Sequence, residues 1–241
     1  MAKKASATVD AAALPAKKKK SRLRDNIEAI IIAVIVALLI RAFIVQAFKI
    51  PSGSMEDTLL IGDHLLVNKF IYGVKVPFTD TKLVKFKDPK VGDIIVFKFP
   101  VDEKIDFIKR VMAVEGDTVE VRNKVLYVNG QKVTTLQAQY KDPNIYSDPR
   151  GYNTFNPANP QAFFSFKDNT AGAARRDNMP PIVVPPDTLF VMGDNRDESA
   201  DSRFWGFVEI AKVKGKAMVI YWSWDSEKTF PRFNRIGKIL R

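Results

Sequence analysis

The segment VLYVNGQKVT (residues 125–134) reads as two short β runs, Val125–Val128 and Gln131–Thr134, joined by Asn129-Gly130. An Asn-Gly pair between such runs is a strong hairpin signal, because both turn positions need positive φ. Outward from it the same texture recurs in His64–Phe70, Asp93–Phe99, Phe107–Val114, Thr118–Val121, Thr188–Met192 and Ala217–Trp224, short β-rich runs divided by turn residues. Gly62-Asp63, Gly92-Asp93, Gly116-Asp117 and Gly193-Asp194 share a Gly-Asp step, which is common turn chemistry rather than an internal repeat. The expected fold is mostly β. Residues 134–186 hold eight of the 14 prolines and read as a loop-rich insertion or a small second domain.

Ahead of the β-rich part, residues 27–48 read IEAIIIAVIVALLIRAFIVQAF, apolar without interruption from Ala29 to Ile40. A helix rising ~1.5 Å per residue crosses the hydrocarbon layer in about 20 residues, so the whole segment suffices as a transmembrane helix. Arg41 is accommodated by snorkelling its guanidinium toward the interface. Residues 1–26 carry a net +6 of the chain's +11, a basic leader that orients the N-terminus toward the cytoplasm and the rest of the chain toward the outside. The rival reading is a cleavable secretory signal cut after Val45-Gln46-Ala47. Because the positive charge is concentrated in this leader, no nucleic-acid partner is expected.

The 241 residues are 46% hydrophobic and 27% charged, enough for a buried core. The chain has no cysteine and one histidine, His64. Disulfides, thiol nucleophiles, iron–sulfur ligation and zinc sites needing several imidazoles or thiolates are thereby excluded, and no cofactor or metal is expected. Hydrolytic chemistry must come from Ser, Lys, Asp or Glu.

Three places concentrate chemistry. Pro51-Ser52-Gly53-Ser54-Met55 follows the apolar segment directly, and a serine next to glycine in a turn is free to project its hydroxyl. Alone, Ser-Gly-Ser also fits a linker. In Asp106-Phe107-Ile108-Lys109-Arg110-Val111, strand alternation sends Phe107, Lys109 and Val111 to one face and Ile108 and Arg110 to the other. Burial would lower the Lys109 pKa and supply a neutral amine as a base; the alternative is a surface lysine on an edge strand. The third place, Gly193–Gly206, is dense in charge but lacks the spacing of a calcium loop, and suits a network of carboxylates and guanidiniums. His64, ten residues after Ser54, is a rival base.

Taken together, PSGSMEDTLLIGDHLLVNKF (51–70), VGDIIVFKFP (91–100), FIKRVMAVEGD (107–117) and GDNRDESADSRFWGFV (193–208) resemble the bacterial type I signal peptidases, in the family's order and behind a suitable membrane span. One departure is visible: Glu56-Asp57 follows Met55 where many members carry a proline two positions after the methionine, which touches local turn geometry. The resemblance implies a serine endopeptidase of the inner membrane, single-pass with its catalytic domain on the periplasmic side. It would remove signal peptides from exported preproteins after small residues in an Ala-x-Ala pattern. It further implies a Ser54 nucleophile, a Lys109 general base and an oxyanion hole from Ser52 and the Ser54 backbone N–H. Ser199 would orient the Lys109 amine. Asp201 and Arg203 would form a supporting ion pair, with Asp194 and Arg196 nearby. Shallow substrate pockets would be lined by Ile50, Met55, Leu59, Phe107 and Ile108, and the substrate would add as a strand near 107–109.

The expected organisation is a cytoplasmic tail (1–26), a transmembrane helix (27–48), a catalytic β domain (49–117 and 187–241) and an inserted second domain (118–186). Ile220-Tyr221-Trp222-Ser223-Trp224 reads equally as a core strand or as an aromatic contact with membrane lipid. Another Ser–Lys membrane peptidase with a narrow substrate set, and a non-enzymatic anchored β-domain, are the competing functions.

Overall fold

The computed structural model describes residues 22–75, 82–135, 137–147, 174 and 176–240. Most of the basic leader and the middle of the proline-rich stretch, including Pro149, Pro157 and Pro160, lie outside them. The first element is α1 (Arg22–Phe43), whose residues 29–40 are apolar on every face, with the described side chains among them exposed. A helix apolar all round has no single face to bury against a soluble core. Among the described residues no helix is long and apolar enough to cross a membrane; within α1 the side chains of residues 22–25, Leu39, Ala42 and Phe43 are outside the description.

The helix is displaced from its expected limits of 27–48. It begins five residues earlier, and residues 45–49 form strand β1 (Val45–Lys49), paired antiparallel with β2 (Asp63–Asn68) in register Val45↔Asn68 to Lys49↔His64. An exposed row of backbone donors and acceptors on β2 recruits this segment, which tertiary pairing takes out of the helix.

The body is antiparallel. Its large sheet runs β1-β2-β13-β5-β6-β11-β12, with β14 added to β13. The strands are β5 (Ile94–Lys98), β6 (Asp106–Val114), β11 (Thr188–Met192), β12 (Val208–Glu209), β13 (Val213–Asp225) and β14 (Phe230–Pro231). A second sheet, β10-β7-β8-β9, is built from β7 (Thr118–Arg122), β8 (Val125–Val128), β9 (Gln131–Lys132) and β10 (Met179–Val183). The Asn129-Gly130 turn joins β8 to β9, both residues at positive φ (52° and 75°). A two-stranded ribbon, β3 (Gly73–Lys75) with β4 (Lys82–Lys85), completes the strands.

Three apolar clusters hold this body. One centres on Phe97, Phe99, Val111 and Trp205, and one on Ile50, Met55, Leu59, Leu65 and Ile220. The third, from Met112, Val119, Val121, Phe190 and Met192, packs the second sheet against the first. In Ile220–Trp224 the core-strand reading holds for Ile220 and Ser223, which are fully buried, but not for Tyr221 and Trp222, which are exposed between them.

Candidate active site

Ser54 sits in a single 3₁₀ turn, Gly53–Met55, shortly after β1. Met55 plugs that turn into the second apolar cluster, and Leu59 N donates to Met55 O at 2.7 Å. Asp57 adopts φ 70°, a value that a proline, locked near −65°, cannot reach.

Lys109 lies in β6, paired with Ile95 of β5. It is 3% exposed, with Nζ 2.7 Å from Ser54 Oγ and 3.1 Å from Ile108 O, under the Phe107 ring at 5.2 Å. Burial pulls its pKa down to about 8, against the opposing pull of Asp201 and Asp194, while Arg203 helps to lower it. Near that pH the amine is neutral in a large fraction of molecules, able to give an N–H to Ile108 O and accept the Ser54 proton.

The loop after β11 closes over this pair. Gly193 has no room for a side chain: a Cβ there would stand 2.2 Å from Ser199 Oγ and 2.3 Å from Ser54 O. Asn195 grips the Ser54 turn, N donating to Ser54 O and Nδ2 to Gly53 O, both at 3.2 Å. Asp201 caps α2 (Ser202–Trp205) and holds Arg203 through two oxygens at 2.9 Å. Burial raises the Asp201 pKa, but Arg203 and other donors outweigh it and leave the carboxyl below its ordinary value.

A family model described as signal peptidase, peptidase S26, matches residues 23–222. The chain belongs to that family. Signal peptidase I of Pseudomonas aeruginosa is 36% identical over 225 residues, covering 85% of this chain and 75% of its own length. Signal peptidase I of Aquifex aeolicus is 36% identical over 229 residues, covering 83% and 85%. A crystal structure of a signal peptidase I from Enterococcus faecalis is 30% identical and covers 55% of this chain and 98% of that one, at a TM-score of 0.37. The family makes the chain a serine peptidase, a hydrolase.

The remaining family-implied residues fall in different settings. Ser52 is exposed and extended (φ −135°, ψ 157°) at the start of the Ser54 turn. Ser199 Oγ is buried without a geometric hydrogen bond, so the bond to Lys109 that the resemblance implies is not formed; the hydroxyl lies close enough to Asp201 to help hold that carboxyl down. Asp194 and Arg196 are neighbours in the loop but not partners. Asp194 is clasped by Arg110 Nε (2.8 Å) and Nη2 (2.7 Å) and by Thr58 Oγ1 (2.6 Å), whereas Arg196 bonds to Gly193 O and Thr135 Oγ1. Ile50, Met55 and Leu59 are buried in the second apolar cluster, on which half-buried Ile108 packs, whereas half-buried Phe107 packs on the first. His64 pairs with Lys49 and Trp222 across strands, its ring 5.9 Å from Tyr221; the side chain on Ser54 Oγ is that of Lys109.

Arg110, Thr58, Gly193 and Asn195 join the site from within the family-like segments, in contacts that the sequence did not assign them. Strand alternation puts Arg110 on the face opposite Lys109, and its only sequence signal is the carboxylate partner that a buried arginine on a sheet requires. Among the described residues no group of carboxylates, histidine or cysteine is arranged to hold a metal ion.

Proposed function

We propose that this peptidase is anchored in the inner membrane by α1 and removes signal peptides from exported preproteins through a Ser54–Lys109 dyad. The observation that carries the reading is the buried Lys109 amine 2.7 Å from Ser54 Oγ, with a pKa brought down to about 8. Neutral Lys109 takes the Ser54 proton as Oγ bonds to the scissile carbonyl carbon. The carbonyl oxygen, now an anion, is held by the Ser54 N–H and the Ser52 hydroxyl. Collapse breaks the C–N bond, and the Lys109 ammonium protonates the departing amine. Lys109 then deprotonates a water that attacks the ester, returning Ser54 and the free carboxylate.

A preference for small residues at the first and third positions before the cut is supported by the burial of Ile50, Met55 and Leu59, which are core side chains and leave no room for a large substrate side chain among them. An extended substrate has a place to lie: β11 pairs with β6 at Arg110 and beyond, and among the described residues β5 alone pairs with 106–109. Backbone pairing there would bring a peptide bond to Ser54.

Membrane anchoring is supported by the exposed, all-round apolar surface of α1 and by the basic leader ahead of it. The alternative of a cleaved signal fits poorly with Val45–Lys49 as a paired strand, since cleavage after Ala47 would cut through β1. Incubation with a preprotein whose signal peptide ends in Ala-x-Ala should give cleavage directly after the second Ala. Lys109→Ala should be inactive and His64→Ala active; the reverse pattern would overturn the dyad, and cleavage at other residues would overturn the specificity.

A further inference from the structure

The stretch between β9 and β10 reaches into the catalytic loop. Gln139 forms a parallel bridge with Asn195, its N donating to Asp194 O at 2.8 Å and its O accepting from Arg196 N at 2.9 Å. Two residues on, Lys141 forms an ion pair with Glu56, in the nucleophile segment, and lies 3.9 Å from Glu198. Asp142 N donates to Asp197 Oδ2 at 2.8 Å. Asp197 also takes Lys124 Nζ, from the β7–β8 turn, at 2.9 Å, and Arg176 Nη1 donates to its carbonyl at 3.2 Å.

Arg176 ties the rest together. It holds Asp177 through Nε at 2.7 Å and Asp142 through Nη2 at 3.3 Å, and its own carbonyl accepts from Arg203 Nη1 at 3.2 Å. The side chains of Lys124, Arg176, Asp177 and Asp197 are each at most 11% exposed. A desolvated network of this kind is satisfied in one arrangement and costly in any other. It meets the active site at Asn195, the residue whose N and Nδ2 hold the carbonyls of Ser54 and Gly53.

We propose that residues 139–142, with Lys124 and Arg176, are positioning residues for the Ser54–Lys109 pair: they fix the 193–201 loop, and through Asn195 they set where the nucleophile turn stands relative to Lys109. This rests on the dyad proposed above. None of these side chains touches the reacting atoms, so their loss falls on placement. A misplacement of about 1 Å at a reacting group costs on the order of a hundredfold in rate, and loosening one end of a clamp costs part of that. The charged groups that act on Lys109 are Asp194, Asp201 and Arg203, from this loop and the helix it leads into, so its titration reports the loop's position.

The test compares Arg176→Gln, Arg176→Lys and the full-length parent on a signal-peptide substrate, with Arg122→Gln, in an exposed ion pair elsewhere on the second sheet, as control. Arg176→Gln should lower kcat about tenfold with KM within about twofold, and should move the pH limb that reports Lys109. Arg176→Lys should restore part of the rate, and Arg122→Gln should match the parent. Parental kcat in folded Arg176→Gln, or a loss confined to KM with the pH limb unmoved, overturns the proposal. If Arg176→Gln melts below the assay temperature, Asp142→Asn is measured in its place, and the same results support or overturn the clamp. Lys109→Ala, run alongside, separates the two layers: if it retains activity the dyad and the clamp both fall, whereas an inactive Lys109→Ala beside a parental Arg176→Gln removes the clamp alone.

Discussion

A lysine in the role proposed for Lys109 has to be kept from its own charge, and its burial shows what that costs the folded state. Its pKa falls from an ordinary 10.5 to about 8 on burial. Below pH 8 the folded protein either carries a buried ammonium or gives up a proton that the unfolded chain would keep. The resulting destabilisation, on the order of 3 kcal/mol, is fully present there and is relieved as pH rises from about 8 toward 10.5, where the unfolded chain still binds the extra proton. Lys109→Met should therefore be inactive yet melt at a higher temperature than the parent at pH 7, with the difference shrinking as pH rises above about 8, as calorimetry would show. Activity of the parent should rise with pH through a limb near 8. Ser52→Ala should lower kcat by roughly 10²–10³ with KM little changed; a change in KM alone would make Ser52 a turn residue. Gly193→Ala brings a methyl against Ser199 Oγ and the Ser54 carbonyl, and is expected to abolish cleavage and to destabilise by about 1–3 kcal/mol, measured by peptide hydrolysis and by denaturant titration.

Among the elements, α1 and β1 carry opposite fates for adjoining residues. If α1 is the anchor, protease added outside spheroplasts should digest the chain beyond residue 50, and N-terminal sequencing of the mature protein should not begin at Phe48. Protection of the body, or a Phe48 terminus, would refute the arrangement. The boundary at Phe43 is not legible in the apolar pattern, because Val45 and Phe48 suit a helix in lipid as well as a strand; what decides is the open edge of β2, set by residues 63–68. By contrast the β8–β9 hairpin is legible because its turn chemistry is local: Asn129 and Gly130 supply the positive φ themselves. The start of β13 at Val213 is hidden because Lys214, Gly215 and Lys216 are a poor strand sequence, held by β5 and β2 on either side. Ser54 and Lys109 are legible through family-like segments. Arg110, Thr58 and Asn195 are not, for their partners lie 84, 136 and 142 residues away in the chain, beyond any spacing rule.

Across the whole molecule, the last residues close what the first strands open. Arg235 grips buried Asp63 with Nε and Nη2 and gives Nη2 to Thr58 O at 2.9 Å. Thr58 Oγ1 in turn bonds to Asp194, and Leu240 packs with Met55 and Leu59. The nucleophile segment is thus braced from behind by the C-terminal segment, and burying Asp63 without its guanidinium would cost about 3–5 kcal/mol. Deleting residues 235–241 should abolish cleavage and lower the melting temperature, whereas Arg235→Lys, which keeps the charge but not the fork, should retain partial activity; full activity of the truncated chain would refute the brace. The span from Asp63 to Arg235 is 172 residues. Synthesis proceeds from the N-terminus, so Ser54 emerges long before the arginine that secures its segment has been made. A chain still short of Arg235 therefore holds Ser54 and Lys109 but lacks the guanidinium that secures Asp63 and Thr58, so the Ser54 segment gains its brace only once the C-terminal segment has been made.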